Sequence, residues 1–105
     1  MYDVAAFRET RIEVMQALMR EHPLAAVVTH SADGLEANHI PLLIDAEPVP
    51  HGTLIGHVAR ANPLWKNAGA DVLAIFQGPQ GYVTPSWYPS KVEHGKVVPT
   101  WNYAV

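Results

Sequence analysis

The sequence predicts a mainly β fold with flanking helices, of the α+β class. Three observations predict it. Short apolar runs rich in Val, Ile, Leu and Thr recur along the chain, each bounded by Gly, Pro, Asn or Asp. One segment near the start repeats its apolar residues at the helical period. The 105 residues include 9 Pro and 7 Gly, so turns punctuate the chain at close intervals.

The first element is a helix. Thr10 and Glu13 have capping-box spacing, and Ile12, Met15, Leu18 and Met19 then fall on one face. Pro23 ends the helix at about His22. Leu24 to Thr29 is a continuous β-rich run, followed by turn residues Ser31-Ala32-Asp33-Gly34. Leu35 to Ile44 reads as the returning strand of a hairpin, bulged, broken or at an edge where Pro41 removes a donor. Residues 45–52 form a loop, and Thr53 to Val58 make a third strand. Asn62-Pro63 opens a second, short helix through about Ala68, with Asn as cap and Pro at the first helical position. Asp71 to Gln77 and Gly81 to Thr84 are expected to form a hairpin around Gly78-Pro79-Gln80. Residues 85–96 read as irregular, and Val97 to Val105 begins another strand. Trp101 to Val105 is apolar where a chain end ordinarily turns polar, so a longer parent protein is expected.

Composition narrows the function. Hydrophobic residues make up 49 % of the chain, enough for the core of one small domain, and charged residues only 16 %. A net charge of −3 argues against a free-standing nucleic-acid binder. Residues 1–50 hold eight acids and three bases, whereas residues 51–105 hold two acids and four bases, so an anion site belongs in the second half. Cysteine is absent, which excludes disulfides, Cys-ligated zinc and a thiol nucleophile. Met1-Tyr2-Asp3-Val4 does not open a signal peptide. The uncharged stretch Val72 to Ser90 is broken by Pro79, Pro85 and Pro89, so it does not read as a membrane helix. The compartment expected is the cytoplasm.

Four places carry candidate chemistry. Gly56 to Trp65 runs from a strand into the predicted helix, with His57 and Arg60 just before the Asn62 cap. Helical amides, an imidazole and a guanidinium fork together suit a phosphate; the competing reading is a simple cap beside a solvated Arg60. Asn38-His39-Ile40-Pro41 puts polar groups on a strand whose ladder Pro41 interrupts, which suits either a flat ligand or a polar hairpin edge. Pro85 to Lys91 and Pro99 to Tyr103 concentrate aromatics and hydroxyls for stacking or for packing. The six histidines show neither HExxH nor paired i, i+4 spacing, so metal ligation is not indicated. A nucleophile elbow, a glycine-rich phosphate loop and a carboxylate pair are all missing from the sequence.

Taken in order, these residues resemble a known family. Phe7-Arg8-Glu9-Thr10, His22-Pro23-Leu24, Ala32-Asp33-Gly34-Leu35, Ala37 to Pro41 and Gly52-Thr53-Leu54 carry the first part of the likeness. Gly56 to Trp65, Phe76 to Gln80, Tyr82-Val83, Pro85 to Lys91 and His94 to Tyr103 carry the rest. The chain resembles the PaiB-like FMN-binding negative transcriptional regulators along essentially its whole length. The resemblance implies an FMN-binding split β-barrel, incomplete in this chain. Residues 1–105 would be the N-terminal part of that single domain, with the C-terminal half missing. It further implies a homodimer holding FMN between subunits. By the same resemblance, His57, Arg60 and Asn62 gather the FMN phosphate, and Asn38, His39 and Ile40 run beside the flavin ring. Ser90, Lys91 and Trp101 are the remaining cofactor contacts it implies.

The function expected is therefore a flavin-binding negative regulator or redox sensor. The alternative is an FMN-dependent oxidoreductase or flavin reductase, and haem binding by a related barrel is a third option. DNA contact has no support from a helix-turn-helix or a basic stripe.

Overall fold

The computed structural model describes residues 2–87, 89, 95 and 98–105. One α-helix, α1 (Ile12–Glu21), precedes the strands β1 (Leu24–Ser31), β2 (Gly34–Pro41), β3 (Leu43–Asp45), β4 (Thr53–Ile55), β5 (Leu73–Phe76), β6 (Gln80–Val83) and β7 (Thr100–Tyr103). Three-residue 3-10 turns occupy Ala5–Phe7 and Pro85–Trp87, and a longer one spans Pro63–Asn67. Among the described residues the fold is thus mainly β with one α-helix.

The helix forms where its period lies, but its start differs from expectation. Arg11 takes the N-cap position without a side-chain cap, so the Thr10–Glu13 box does not form. The Arg11 guanidinium turns back instead onto Glu9. That hydrogen bond holds the exposed Glu9 carboxyl below its ordinary pKa and raises Arg11 in return. Ile12, Met15, Leu18 and Met19 are half-buried, as their spacing requires, and Gln16 between them is buried. Gln16 Nε2 donates to the carbonyl oxygen of His51 at 3.2 Å, tying α1 to the loop after β3. The helix ends at Glu21, where the N–H of His22 still reaches Leu18 O at 2.9 Å before Pro23 stops the ladder.

Among the described residues the strands build three open antiparallel sheets. Their orders are β2-β1-β5, β3-β4 and β6-β7. Strand β1 is central, and its alternate residues Ala25, Val27 and Thr29 are buried. Ala25 lies between Ile40 and Phe76, and Val27 between Asn38 and Ala74. Ala25, Val27, Ile40 and Phe76 form the core, with Met19, Leu42, Val58, Leu64 and Ala74 packed against it.

Three strand boundaries correct the sequence reading. The return strand expected over Leu35–Ile44 splits after Pro41, and the chain turns there to pair β3 with β4. The strand expected from Thr53 to Val58 stops at Ile55. Strands β5 and β6 do not form a hairpin: β5 joins β1, while β6 pairs with β7 through Tyr82↔Trp101. The Gly78-Pro79 turn extends that second ladder. Gly78 N donates to Ala104 O at 2.8 Å and Ala104 N to Pro79 O at 3.1 Å. The apolar β5 meets more buried surface on β1 than β6 offers, so tertiary burial overrides sequence proximity.

The molecule is extended. Its radius of gyration is 18.3 Å, against about 13 Å for a compact domain of this length. Many large apolar side chains remain on the outside, among them Trp65, Leu73, Tyr82, Trp101 and Tyr103.

Candidate functional site

The open side of the core forms a groove of about 290 Å³, near the low end of the roughly 300–1,000 Å³ of ligand sites. Val27, Ile40, Leu42, Leu54, Val58, Leu64, Val72 and Ala74 make apolar walls, and among the described residues His57 and Trp65 carry its only polar-tipped side chains. The floor depends on Gly56. A Cβ there would come within 2.5 Å of Leu42 Cδ2, 3.2 Å of Pro41 O and 3.3 Å of Ile40 Cγ2. The backbone after β4 therefore lies directly on the end of β2 and on Leu42 just after it, and a side chain at 56 would have to displace Leu42 and press on the Pro41 carbonyl.

Beyond Gly56 a short loop is tied down residue by residue. Asn62 N donates to Ala59 O at 2.8 Å. Asn62 Oδ1 accepts from Leu64 N at 3.0 Å, and Pro63 supplies the first position of the turn. Trp65 Nε1 donates to Arg60 O at 3.1 Å, clipping the Arg60 backbone to the groove's aromatic rim. Asn62 Nδ2 reaches across to Asn38 Oδ1 on β2 at 2.9 Å. The Asn cap is therefore as the sequence indicates, but it opens a five-residue 3-10 turn rather than an α-helix. So short a turn has no sizeable dipole, and Asn62 already holds the Leu64 amide. Anion affinity at this end therefore rests on side chains such as Arg60, His57 and Lys66, all exposed, the Lys66 ammonium lying 5.7 Å from the Trp65 ring centroid.

The predicted residues are only partly brought together. Asn62 and Asn38 touch, Ile40 and His57 line the groove, and Arg60 stands at its Trp65 end. Strand alternation separates His39 from its neighbours. Asn38 and Ile40 pair with Val27 and Ala25 on the buried face of β1, whereas His39 pairs with Ala26 on the other face. Trp101 lies on β7, beside Tyr82 at a ring-centroid distance of 5.9 Å, with its indole donating to Gln80 Oε1 at 3.1 Å. It does not line the groove. Ser90 and Lys91 lie outside the described residues.

Several groove residues were not singled out by the sequence reading. Leu64 and Trp65 belong to the segment it marked, but nothing in their spacing says that a 3-10 turn would face them onto β1. Gly56 carries a role set wholly by what lies across from it. Among the described residues, no group of three or more His, Cys, Asp or Glu is placed to hold a metal ion, and no helix is long and apolar enough to cross a membrane.

Comparison with known proteins decides the family. A family model described as a putative FMN-binding domain matches residues 1–105, the whole chain. The chain belongs to that family. This FMN-binding domain is 36 % identical to the protease synthase and sporulation protein PAI 2 of Bacillus subtilis, covering 98 % of the chain and 48 % of that protein. An uncharacterised protein of Emericella nidulans is 35 % identical, over 99 % of the chain and 53 % of its own length. One from Saccharomyces cerevisiae is 34 % identical over 68 % of the chain and 43 % of its own length. The PaiB-like resemblance expected from the sequence holds. The chain spans about half the length of the curated relatives it matches.

Proposed function

We propose that this chain carries part of the FMN site of a split-barrel flavoprotein, and that the protein acts as a negative transcriptional regulator or redox sensor. The observation that supports the reading is the apolar groove beside Gly56, with the His57 imidazole on its lining and the Arg60 backbone tied to its Trp65 rim. A flat tricyclic ring suits walls such as Val27, Ile40 and Val58, and a phosphate dianion would suit the exposed Arg60 fork and the His57 imidazole of the lining. FMN, when bound, supplies hydride and electron transfer, and the protein supplies binding, orientation and electrostatics. Ile40 and Leu64 would exclude water from the ring, and Asn38, steadied by Asn62, would set its edge.

The same reading places two copies together in the cytoplasm. The edge of β5, unpaired among the described residues and with Leu73 58 % exposed, and the half-exposed Trp65 and Trp101 support a paired state, because such apolar edges are ordinarily covered. The net charge of −3 gives no electrostatic help to direct DNA contact, so regulation is proposed to depend on the state of the flavin.

An FMN titration followed by flavin absorbance and fluorescence tests the proposal. Saturable binding of one FMN per chain, weaker for riboflavin, is the expected result. An unperturbed flavin spectrum at excess FMN refutes it. Sedimentation of the same sample should give twice the 11.5 kDa chain mass, and a monomer at all concentrations refutes the pairing.

A further inference from the structure

The two asparagines beside the groove form a relay with a fixed direction. A backbone N–H can only donate, so Leu64 N sets the oxygen of Asn62 toward itself at 3.0 Å. The amide nitrogen of Asn62 must then face β2, and what it meets at 2.9 Å has to be an acceptor, Asn38 Oδ1. That choice turns Asn38 Nδ2 away from Asn62. It is a buried donor with no hydrogen-bond partner among the described residues. Asn38 lies in register with Val27 and two residues from Ile40 on the same face of β2, and both neighbours line the groove.

We propose that this relay makes Asn38 a specificity-determining residue and Asn62 its positioning residue. Asn38 offers a donor, never an acceptor, to the edge of whatever occupies the groove. The ligand class selected is a heteroaromatic ring whose edge presents a carbonyl oxygen or an unprotonated ring nitrogen. The inference rests on the FMN reading, in which the pyrimidine end of the isoalloxazine supplies such acceptors. Asn38 does not itself line the open groove and its donor is shut off from water, so an acceptor that reaches it ends an unpaired state that is costly in a protein interior.

The test reverses the relay without removing it. Asn62→Asp keeps the cap on Leu64, since Asp caps as well as Asn, but a carboxylate cannot donate. Asn38 must then turn its NH₂ toward residue 62 and show its oxygen to the groove. FMN affinity of the chain should fall roughly tenfold to hundredfold, the range set by one mispaired buried polar group, while the urea midpoint of the free protein stays near wild type. Nitrogen-15 NMR of the ligand-free protein gives a second readout. The side-chain amide protons of Asn38 should move downfield in Asn62→Asp, because one of them gains an acceptor. In an Asn38→Leu background, Asn62→Asp should have no further effect on affinity.

Asn38→Asp, which keeps the bond from Asn62 and replaces the free donor with an oxygen, should lose affinity to the same degree. It decides the matter if Asn62→Asp does not fold. Wild-type affinity in both Asp variants overturns this inference and leaves the FMN reading standing. Failure of the wild-type chain to bind FMN overturns both.

Discussion

Gly56 offers the sharpest test of how the groove is built. Replacing it with alanine adds one methyl group, and that methyl would stand 2.5 Å from Leu42 Cδ2 and 3.2 Å from Pro41 O. Leu42 is half-buried and its terminal methyl can rotate away, whereas Pro41 O is backbone and would have to give by a few tenths of an ångström. Overpacking of this kind costs about 1–3 kcal/mol. Loss of glycine's freedom in the unfolded chain returns about 0.4–1 kcal/mol. The net expectation for Gly56→Ala is a destabilisation of about 1–2 kcal/mol, or roughly 4–10 °C in Tm for a chain of this size. FMN affinity should fall as well, because the easiest escape for Leu42 is into the groove.

Gly81→Ala is the control. A Cβ there meets nothing within 4 Å, so the same substitution should be neutral or slightly stabilising. Both variants should be melted at one protein concentration, since self-association shifts the midpoint. A Gly56→Ala protein as stable as Gly81→Ala would mean that the backbone after β4 does not lie on β2 and Leu42 as described.

Arg60→Ala should weaken FMN binding roughly tenfold or more, from loss of a charge-assisted hydrogen bond to phosphate, and leave riboflavin binding unchanged. Lys66→Ala should do less, because its ammonium is engaged with the Trp65 ring, 5.7 Å from the centroid; equal losses in the two titrations would count against an Arg60 phosphate contact. Gln16→Ala should lower stability in a urea melt by about 1 kcal/mol, the net worth of its bond to the His51 carbonyl, and an unchanged midpoint would show that the loop does not depend on this tie.

What could be read ahead of the fold was local. The period of Ile12, Met15, Leu18 and Met19 identified α1, and the Ser31 to Gly34 turn identified the β1–β2 hairpin. Pro41 marked the break before β3, and Asn62-Pro63 marked the start of a turn. Each signal acts within a few residues of itself, through hydrogen bonds and φ restrictions that the neighbouring chain completes. A local signal also misled. Thr10 and Glu13 matched a capping motif, but the helix begins one residue later with Arg11 at the N-cap, so the pair does not occupy the positions the box requires.

Everything that makes a site depended on partners distant in the chain. Nothing local to Leu73–Phe76 says that it would pair with β1 in place of β6, because the burial that decides the pairing is supplied by Ala25 and Val27. His39 looked equivalent to Asn38 and Ile40 until the register with β1 assigned alternate residues to opposite faces. Short-range pattern was thus enough for the helix, the turns and the strand-forming segments, and the ordered motifs were enough for the family. It took the packed chain to require that Gly56 lack a side chain, to aim the amide of Asn38 through Asn62, and to set Trp101 apart from the groove. Those outcomes rest on steric contact and hydrogen-bond direction between segments some fourteen to twenty-four residues apart, where no local pattern carries the information.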